Sequence, residues 1–192
     1  RMPAPGLSAY AAIGANANAA HIVYECLTSA DFGLGYGLAE INVASFQACA
    51  ATLHAEGFGI SLLLADQRDV EEFIGDVLRH VDGVVYADPE TGQFTMALVR
   101  GGYTPAALPA FDESNIITLE SFQRPGLGEL VNQITVVYRD PDSDRQASVT
   151  VHDIATMEAQ GGIVASTITY DGIDDPDLAS AVATRDLRGL ST

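Results

Sequence analysis

The sequence predicts an α+β protein, with helices early in the chain and strands more frequent in the second half. Apolar residues recur at helical spacing in three segments before residue 83. Two pairs of apolar segments flank the acidic turns "DPETG" and "DPDSD", a pattern typical of β-hairpins. The Pro- and Gly-rich stretch "GGYTPAALPAF" lies between the two hairpins and predicts a connector.

The pattern divides the chain into five segments. They are an Ala- and Gly-rich linker (1–17), a helical segment (18–57), a strand–helix–hairpin α/β module (58–100), a connector (101–114) and a β-rich segment that ends in a helix (115–192). The linker lacks the continuous apolar core of a signal peptide, so we expect it to come from within a longer chain. No apolar stretch reaches the roughly 18 residues that a membrane span requires.

The helical segment contains two predicted helices. The first places its apolar residues on one face, with Asn18 as its N-cap. That face consists of Ala19, Ile22, Val23, Cys26 and Leu27. The second helix aligns Phe46, Ala50 and Leu53, and Gly57 ends it.

Between these helices, "GLGYG" brings Gly33, Gly35 and Gly37 close together, which raises the question of a phosphate-binding loop. The dinucleotide fingerprint is G-x-G-x-x-G between a strand and a helix, whereas this stretch is G-x-G-x-G and follows a helix. We therefore interpret it as a corner between two helices, with Phe32 and Tyr36 packed against the protein.

The module at 58–100 begins with a predicted buried strand at 58–65. The next segment, 66–83, has an unbroken apolar stripe typical of an amphipathic helix. The stripe consists of Val70, Phe73, Ile74, Val77, Leu78 and Val81. Charges suit the helix dipole, with Asp69, Glu71 and Glu72 at the start and Arg79 and His80 at the end. We expect Gly83 to end this helix and residues 84–100 to form a hairpin.

In the second half, residues 115–123 are predicted to be extended and 130–153 to form the second hairpin. Its inward positions are Val131, Ile134, Val136 and Tyr138 on one arm and Val149 and Val151 on the other.

A short helix starting at 154 is stopped by the glycine pair 161–162, and residues 163–170 form another predicted strand. Asp175 and Pro176 are typical of the cap and first position of a final helix.

The charge of the chain excludes a class of partners. Its 192 residues carry 26 acidic and 9 basic side chains, for a net charge of −17. Both halves are acidic, so no basic surface is available to hold a phosphate backbone, and we expect no specific nucleic-acid binding.

No motif in the sequence indicates a catalytic, cofactor-binding or metal-binding residue. The four histidines, His21, His54, His80 and His152, lie in different elements, and the two cysteines, Cys26 and Cys49, are predicted to be buried thiols. The turn "DPDSD" matches the first ligand positions of a calcium loop, Asp140, Asp142 and Asp144. Arg145 and Val151 stand where that loop needs Gly and Glu, which favours a charged hairpin turn.

Several segments of the chain, in order, resemble a family of phage tail proteins. They include "NAAHIVYECLTSADFGLGYG", "SFQACAATLHAEGFGISLLL", "VEEFIGDVLRHVDGVVYADPETGQFTMALVR", "DESNIITLESFQRPGLGELVNQITVVYRD" and "ASVTVHDIATMEAQGGIV". The family is that of the tail-tip or baseplate-hub proteins of lambda-like siphophages, prophages and gene transfer agents. The resemblance extends over residues 16–192.

This resemblance implies a structural part of the virion tail, with the segment at 115–192 forming part of a small β-barrel-like hub domain. It implies a homotrimer in the assembled tail, made in the bacterial cytoplasm. It also implies contacts with the tail tube, the distal tail and fibre or receptor-binding parts. The alternative, based on the surplus of carboxylates, is a tail-associated cell-wall hydrolase or carbohydrate-binding module.

Overall fold

The computed structural model describes residues 7, 9–62, 69–101, 104–118, 120–121, 126–143 and 145–191. These residues contain five α-helices and eight β-strands, so the predicted α+β class is confirmed. The helices are α1 (Ala19–Thr28), α2 (Val43–Ala55), α3 (Val70–Val81), α4 (Ile154–Gln160) and α5 (Pro176–Leu190). The strands are β1 (Ala12–Ile13), β2 (Asn16–Asn18), β3 (Gly59–Ile60), β4 (Gly83–Ala87), β5 (Phe94–Leu98), β6 (Gln133–Asp140), β7 (Arg145–His152) and β8 (Ala165–Thr169).

Helix α1 is the centre of the N-terminal unit, which we define as the described residues from 7 to 101. Eight of its ten residues are buried, because α2 and α3 both pack against it. Asn18 caps it as predicted, since its side chain accepts the Ala20 N–H at 3.0 Å. The Asn18 amide also donates to the Ala50 carbonyl at 2.9 Å, which fixes α1 against α2. The predicted face of α2 is buried as well.

Part of the predicted linker belongs to the folded core. Strands β1 and β2 pair in an antiparallel hairpin, and β2 pairs with β3 through Ala17 and Ile60. Leu7 is fully buried. Strands of two or three residues are too short to produce a periodic pattern, which is why the sequence did not reveal them. Strand β3 is shorter than the predicted strand at 58–65, whose last three residues lie outside the described residues.

Helix α3 forms as its apolar stripe predicts. The Asp69 side chain caps it by accepting the Glu71 N–H at 3.4 Å. The expectation that Gly83 ends the helix is wrong, because Asp82 takes the left-handed position after it, with φ 49°. Gly83 starts β4 instead, and a Cβ there would lie 3.3 Å from the Leu78 side chain.

The first hairpin is confirmed. Strands β4 and β5 pair from Gly83 opposite Leu98 to Ala87 opposite Phe94. Helix α2 packs against β5, where the Ser45 hydroxyl accepts the Met96 N–H at 3.1 Å.

The C-terminal unit, the described residues from 126 to 191, is a two-layer structure. Strand β6 lies in the middle of the sheet, antiparallel to β7 and parallel to β8. Helix α5 packs on β6 and β7, and its Asp175 cap and Pro176 start are as predicted. The buried face of β6 consists of Ile134, Val136 and Tyr138.

The other face of this sheet is polar, and there the Thr135 and Thr150 hydroxyls hydrogen-bond at 2.9 Å. The three strands form an open sheet, so the barrel that the resemblance implies is not closed within the described residues.

The connector and the residues that follow it, up to 118, lie between the two units, and their described side chains from 104 onward are exposed. This stretch contains a 3-10 turn at Pro105–Ala107 and a turn that begins at Asp112. The exposed side chains include large apolar ones, namely Leu108, Phe111, Ile116 and Ile117. The predicted extended segment at 115–123 is not a strand in its described part, since Asn115 belongs to the turn. Residues 119 and 122–125 lie outside the described residues.

No helix in the described part of the chain has both the length and the apolar character that a membrane crossing requires.

Candidate functional site

The glycine-rich stretch closes the end of helix α1. The N–H groups of Gly33, Leu34 and Tyr36 donate to the carbonyls of Ser29, Cys26 and Leu27 at 3.1, 2.8 and 2.9 Å. These backbone donors therefore satisfy carbonyls at and just beyond the helix end that would otherwise lack partners. The predicted corner between α1 and α2 is confirmed.

Two of these glycines are required for different reasons. A Cβ at position 33 would lie 2.3 Å from the Cys26 carbonyl oxygen, so only Gly allows the close approach. Gly35 has φ 71°, a left-handed conformation that favours glycine. Tyr36 packs against Phe94 as expected, with ring centroids 4.5 Å apart. The expectation for Phe32 is wrong, because 60% of it is exposed.

The acidic turns are held by their own hydrogen bonds. The Asp140 carboxylate accepts the Asp142 N–H at 3.1 Å and the Ser143 hydroxyl at 2.7 Å, which holds the pKa of Asp140 below its usual value. The predicted charged hairpin turn is confirmed, while Asp144 lies outside the described residues. Within the described ranges, no group of three His, Cys, Asp or Glu side chains could hold a metal ion.

Both cysteines are buried, as predicted, and neither forms a disulfide. The Cys49 thiol donates to the Met96 carbonyl at 3.4 Å. Burial raises the pKa of Cys49, which disfavours the reactive thiolate.

A cleft between the two units is lined by several charged side chains, and no pattern in the sequence indicated it. It has a volume of about 730 Å³ and lies between the C-terminal end of α3, strand β8 and the second half of α5. Five charged side chains line it, which are Arg79, Asp82, Asp171, Arg185 and Asp186. We take this cleft as the candidate functional site because residues distant in sequence meet there.

Tyr170 lies at the centre of the hydrogen bonds in the cleft. Its hydroxyl donates to Asp186 at 2.7 Å, and Arg185 in turn donates to Asp186 at 2.8 Å. The Arg79 guanidinium lies 5.2 Å from the centre of the Tyr170 ring, a cation–π distance. Burial and then the Asp186 hydrogen bond raise the pKa of Tyr170 to about 12. The phenol therefore stays protonated at neutral pH and acts as a donor.

His80 connects the cleft to the N-terminal unit. It is 2% exposed, and its Nε2 accepts the Gly172 N–H at 3.1 Å. Its own carbonyl accepts from Arg185 at 2.8 Å. Burial lowers the pKa of His80, so the side chain is neutral at neutral pH. It therefore does not supply the positive charge that was expected to interact favourably with the helix dipole at the end of α3.

Further hydrogen bonds join the two units beside this histidine. The Ser61 N–H donates to the Gly172 carbonyl at 2.9 Å, and the Asn16 amide donates to the Asp174 carboxylate at 2.7 Å. The polar atoms of the cleft are thus largely bonded within the protein, an arrangement that positions the two units.

The sequence contains only a weak signal for this cleft. His80 and Gly172 are 92 positions apart, and His80 and Arg185 are 105 apart. In the sequence, Tyr170 is the last residue of a predicted strand and Arg185 is one residue of a predicted helix. Neither position indicates a shared site. Two of the nine arginines of an acidic chain meet here, but only the folded chain reveals it.

Comparison with known proteins identifies the family. Residues 69–191 match the sequence model of a family described as "Putative phage tail protein". The chain belongs to this family. The matched region covers more than half of the 192 residues. No curated protein matches the chain.

The match places the cleft of this phage tail protein inside the family region. Helix α3, strand β8 and helix α5 all lie between residues 69 and 191, whereas α1 and α2 precede the match. The family unit therefore includes the second part of the N-terminal unit, the connector and the C-terminal unit. Membership in a phage tail family fits a structural role and implies a component of the virion tail.

Proposed function

We propose that the chain is a structural module of the tail tip or baseplate hub of a phage or phage-like particle. There it helps to close the tail tube and link it to host-recognition parts. The observation that carries the proposal is the family match, which runs from α3 to α5 across both units.

The surface supports contacts with other tail proteins, such as the tail tube, the distal tail and fibre parts. Phe111 is 75% exposed and Ile117 is fully exposed, in the exposed stretch formed by the connector and the residues that follow it. Exposed apolar side chains grouped in one segment are typical of a protein–protein contact. In the assembled tail we expect a homotrimer, in which neighbouring copies cover this connector.

The net charge of −17 supports a place beside passing DNA. An acidic surface repels a phosphate backbone and so does not retain the genome during transfer. We propose no specific nucleic-acid binding and no catalytic role for this module.

Immunogold electron microscopy tests the position. An antibody raised against the 192-residue chain is applied to particles released from an induced culture, with particles lacking the gene product as the control. Gold at the distal end of the tail is the expected result. Gold along the tube alone, or intact tails without gold, would contradict the hub assignment.

A zymogram on purified cell wall tests the alternative of a tail-associated hydrolase. We expect no clearing by the purified chain. Clearing that persists after the chain is repurified would contradict the purely structural role.

A further inference from the structure

The contact between α3 and the loop after β8 depends on one ring nitrogen. His80 Nδ1 lies 2.7 Å from the Asp76 carbonyl oxygen, and Nε2 lies 3.1 Å from the Gly172 backbone nitrogen. A carbonyl can only accept and a backbone N–H can only donate. The ring is therefore neutral, with its proton on Nδ1 and a lone pair on Nε2 directed at Gly172.

A second proton on this ring has no acceptor. An Nε2–H would point at the Gly172 N–H, so two donors would face each other. The loop is also packed closely, because a Cβ on Gly172 would lie 2.6 Å from Ile60 and 3.0 Å from Nε2. Two donors that face each other repel, which favours movement of the loop away from α3.

Charged groups on three elements face the ring. Helix α3 contributes Asp76 and Arg79, the loop after β8 contributes Asp171, and Arg185 of α5 donates to the His80 carbonyl. The Tyr170 ring packs edge-on at 5.1 Å. The carboxylates favour a proton on His80 and the arginines oppose it. Burial is the largest influence and lowers the pKa below its ordinary 6.5.

One hydrophobic core extends through both units on either side of this contact. Helices α2 and α3 pack on α1 in its N-terminal part, and α5 packs on β6 and β7 in its C-terminal part. Near His80, the contacts across the boundary include hydrogen bonds such as Ser61 to Gly172 and Arg79 to Thr169, the latter 3.4 Å long. Loss of the His80 bond therefore weakens a local polar contact at the surface of this core.

We propose that His80 is a proton-operated joint between α3 and the loop after β8 of this tail protein. A proton taken from solution by Nε2 removes the acceptor of the Gly172 N–H, and the loop then separates from α3. The opening is local, because one apolar core continues through both units and holds the rest of the fold in place. The joint is closed when His80 is neutral and opens as the pH falls.

The direction of the effect follows from proton linkage. Well above pH 6.5 the ring is neutral whether the joint is open or closed, so pH has little influence on the joint. Below 6.5 the open state, in which the ring meets water, binds the proton more readily than the closed state. The closed fraction must therefore fall as the pH falls towards the lowered pKa of His80.

The test is a pH titration of the ¹⁵N-labelled 192-residue chain from pH 7.5 to 4.5, followed by amide NMR. We expect the Gly172 and Ser61 amide signals to shift together, with a midpoint below 6.5, while the Val136 amide in β6 stays constant. The His80 ring protons should titrate with the same midpoint. Gly172 amides that do not respond, or that change only when every amide changes in global unfolding, would overturn the proposal.

Two variants sharpen the test. In His80→Gln the side-chain carbonyl can accept the Gly172 N–H but cannot be protonated, so the Gly172 shift should disappear. The matched control His54→Gln alters an exposed histidine of α2 and should leave the Gly172 midpoint unchanged. A Gly172 shift of unchanged midpoint in His80→Gln would overturn the proposal. If His80→Gln does not fold, the match between the ring and Gly172 midpoints in the unmodified chain decides.

Discussion

The two units of the chain bury their helices to very different extents. Eight of the ten residues of α1 are buried between α2 and α3, whereas four of the fifteen residues of α5 are buried on one face of a sheet. A helix enclosed by other helices loses contacts on several sides when a side chain is shortened. A helix on an open sheet has solvent nearby and can adjust. The comparison therefore predicts that equal substitutions have unequal costs.

The largest expected effect is in the N-terminal core. Leu53→Ala should lower the free energy of unfolding by about 4 kcal/mol, because Leu53 is fully buried in α2. Leu187→Ala in α5 should cost about 2 kcal/mol, since Leu187 lies in the last turn of the helix and is 7% exposed. Urea unfolding followed by circular dichroism measures both. Equal costs would show that the two units enclose their helices equally.

The next effect tests the boundary between the units. A Cβ on Gly172 would lie within 3.0 Å of Ile60, Leu62 and His80, so Gly172→Ala should cost about 3 kcal/mol. Gly162→Ala, also in the C-terminal unit, has nothing within 4 Å of its Cβ and is the matched control. Thermal unfolding should separate the two variants. A Gly172→Ala protein as stable as the control would contradict the close packing of the loop.

A smaller, graded effect is expected in the glycine corner. Gly33→Ala should cost about 2 kcal/mol, because the new Cβ meets the Cys26 carbonyl. Gly35→Ala should cost about 1 kcal/mol for its left-handed backbone. Gly37→Ala meets only the flexible Glu40 side chain at 3.5 Å and should change stability by less than about 0.5 kcal/mol.

Chemical unfolding of these three variants ranks them on one scale. If the order is reversed, with Gly37→Ala the most harmful, then the N–H groups of this corner serve something other than the end of α1.

An effect smaller than those at Gly172 and Gly33 is expected for the Tyr170 hydroxyl. Tyr170→Phe removes its hydrogen bond to Asp186 and should cost about 1 kcal/mol at neutral pH. Tyr86→Phe alters a tyrosine on the exposed hairpin of the other unit and should change stability by less than about 0.5 kcal/mol. Equal stability of Tyr170→Phe and Tyr86→Phe would contradict a structural role for the hydroxyl.

The free energy of unfolding at alkaline pH gives a second test of the role of Tyr170. Its pKa is raised from 10.0 to about 12, so between these values the unfolded chain releases a proton that the folded chain retains. Stability should therefore fall as the pH rises through this range. Absorbance at 295 nm follows the ionisation of tyrosine side chains. In the folded protein we expect one ionisation step near pH 12, and this step should be absent in Tyr170→Phe.

Local patterns were reliable where one element determines its own form. The stripe of α3, the Asn18 and Asp175 caps and both hairpins follow from spacing and turn residues, and the structure has them. Capping and periodicity act over three or four positions, so a single sequence contains all the information needed.

The errors fall where distant segments decide. Leu7 lies in the predicted linker, yet it is fully buried in the hydrophobic core. Phe32 looks like a core residue, yet the corner that holds Tyr36 inward leaves it exposed. Asp82 takes the left-handed position that was expected of Gly83. Gly83 instead begins β4, where a Cβ would lie 3.3 Å from the Leu78 side chain.

Sequence patterns alone predict the α+β class, most of the elements and the acidic character that disfavours nucleic-acid binding. Net charge depends only on composition, and helices, strands and caps depend on patterns a few residues long. The packing of whole elements is what makes β8 run parallel to β6, leaves the sheet open within the described residues and brings His80 to Gly172. Contacts between residues about 90 positions apart depend on how whole elements pack, and no local pattern encodes that geometry.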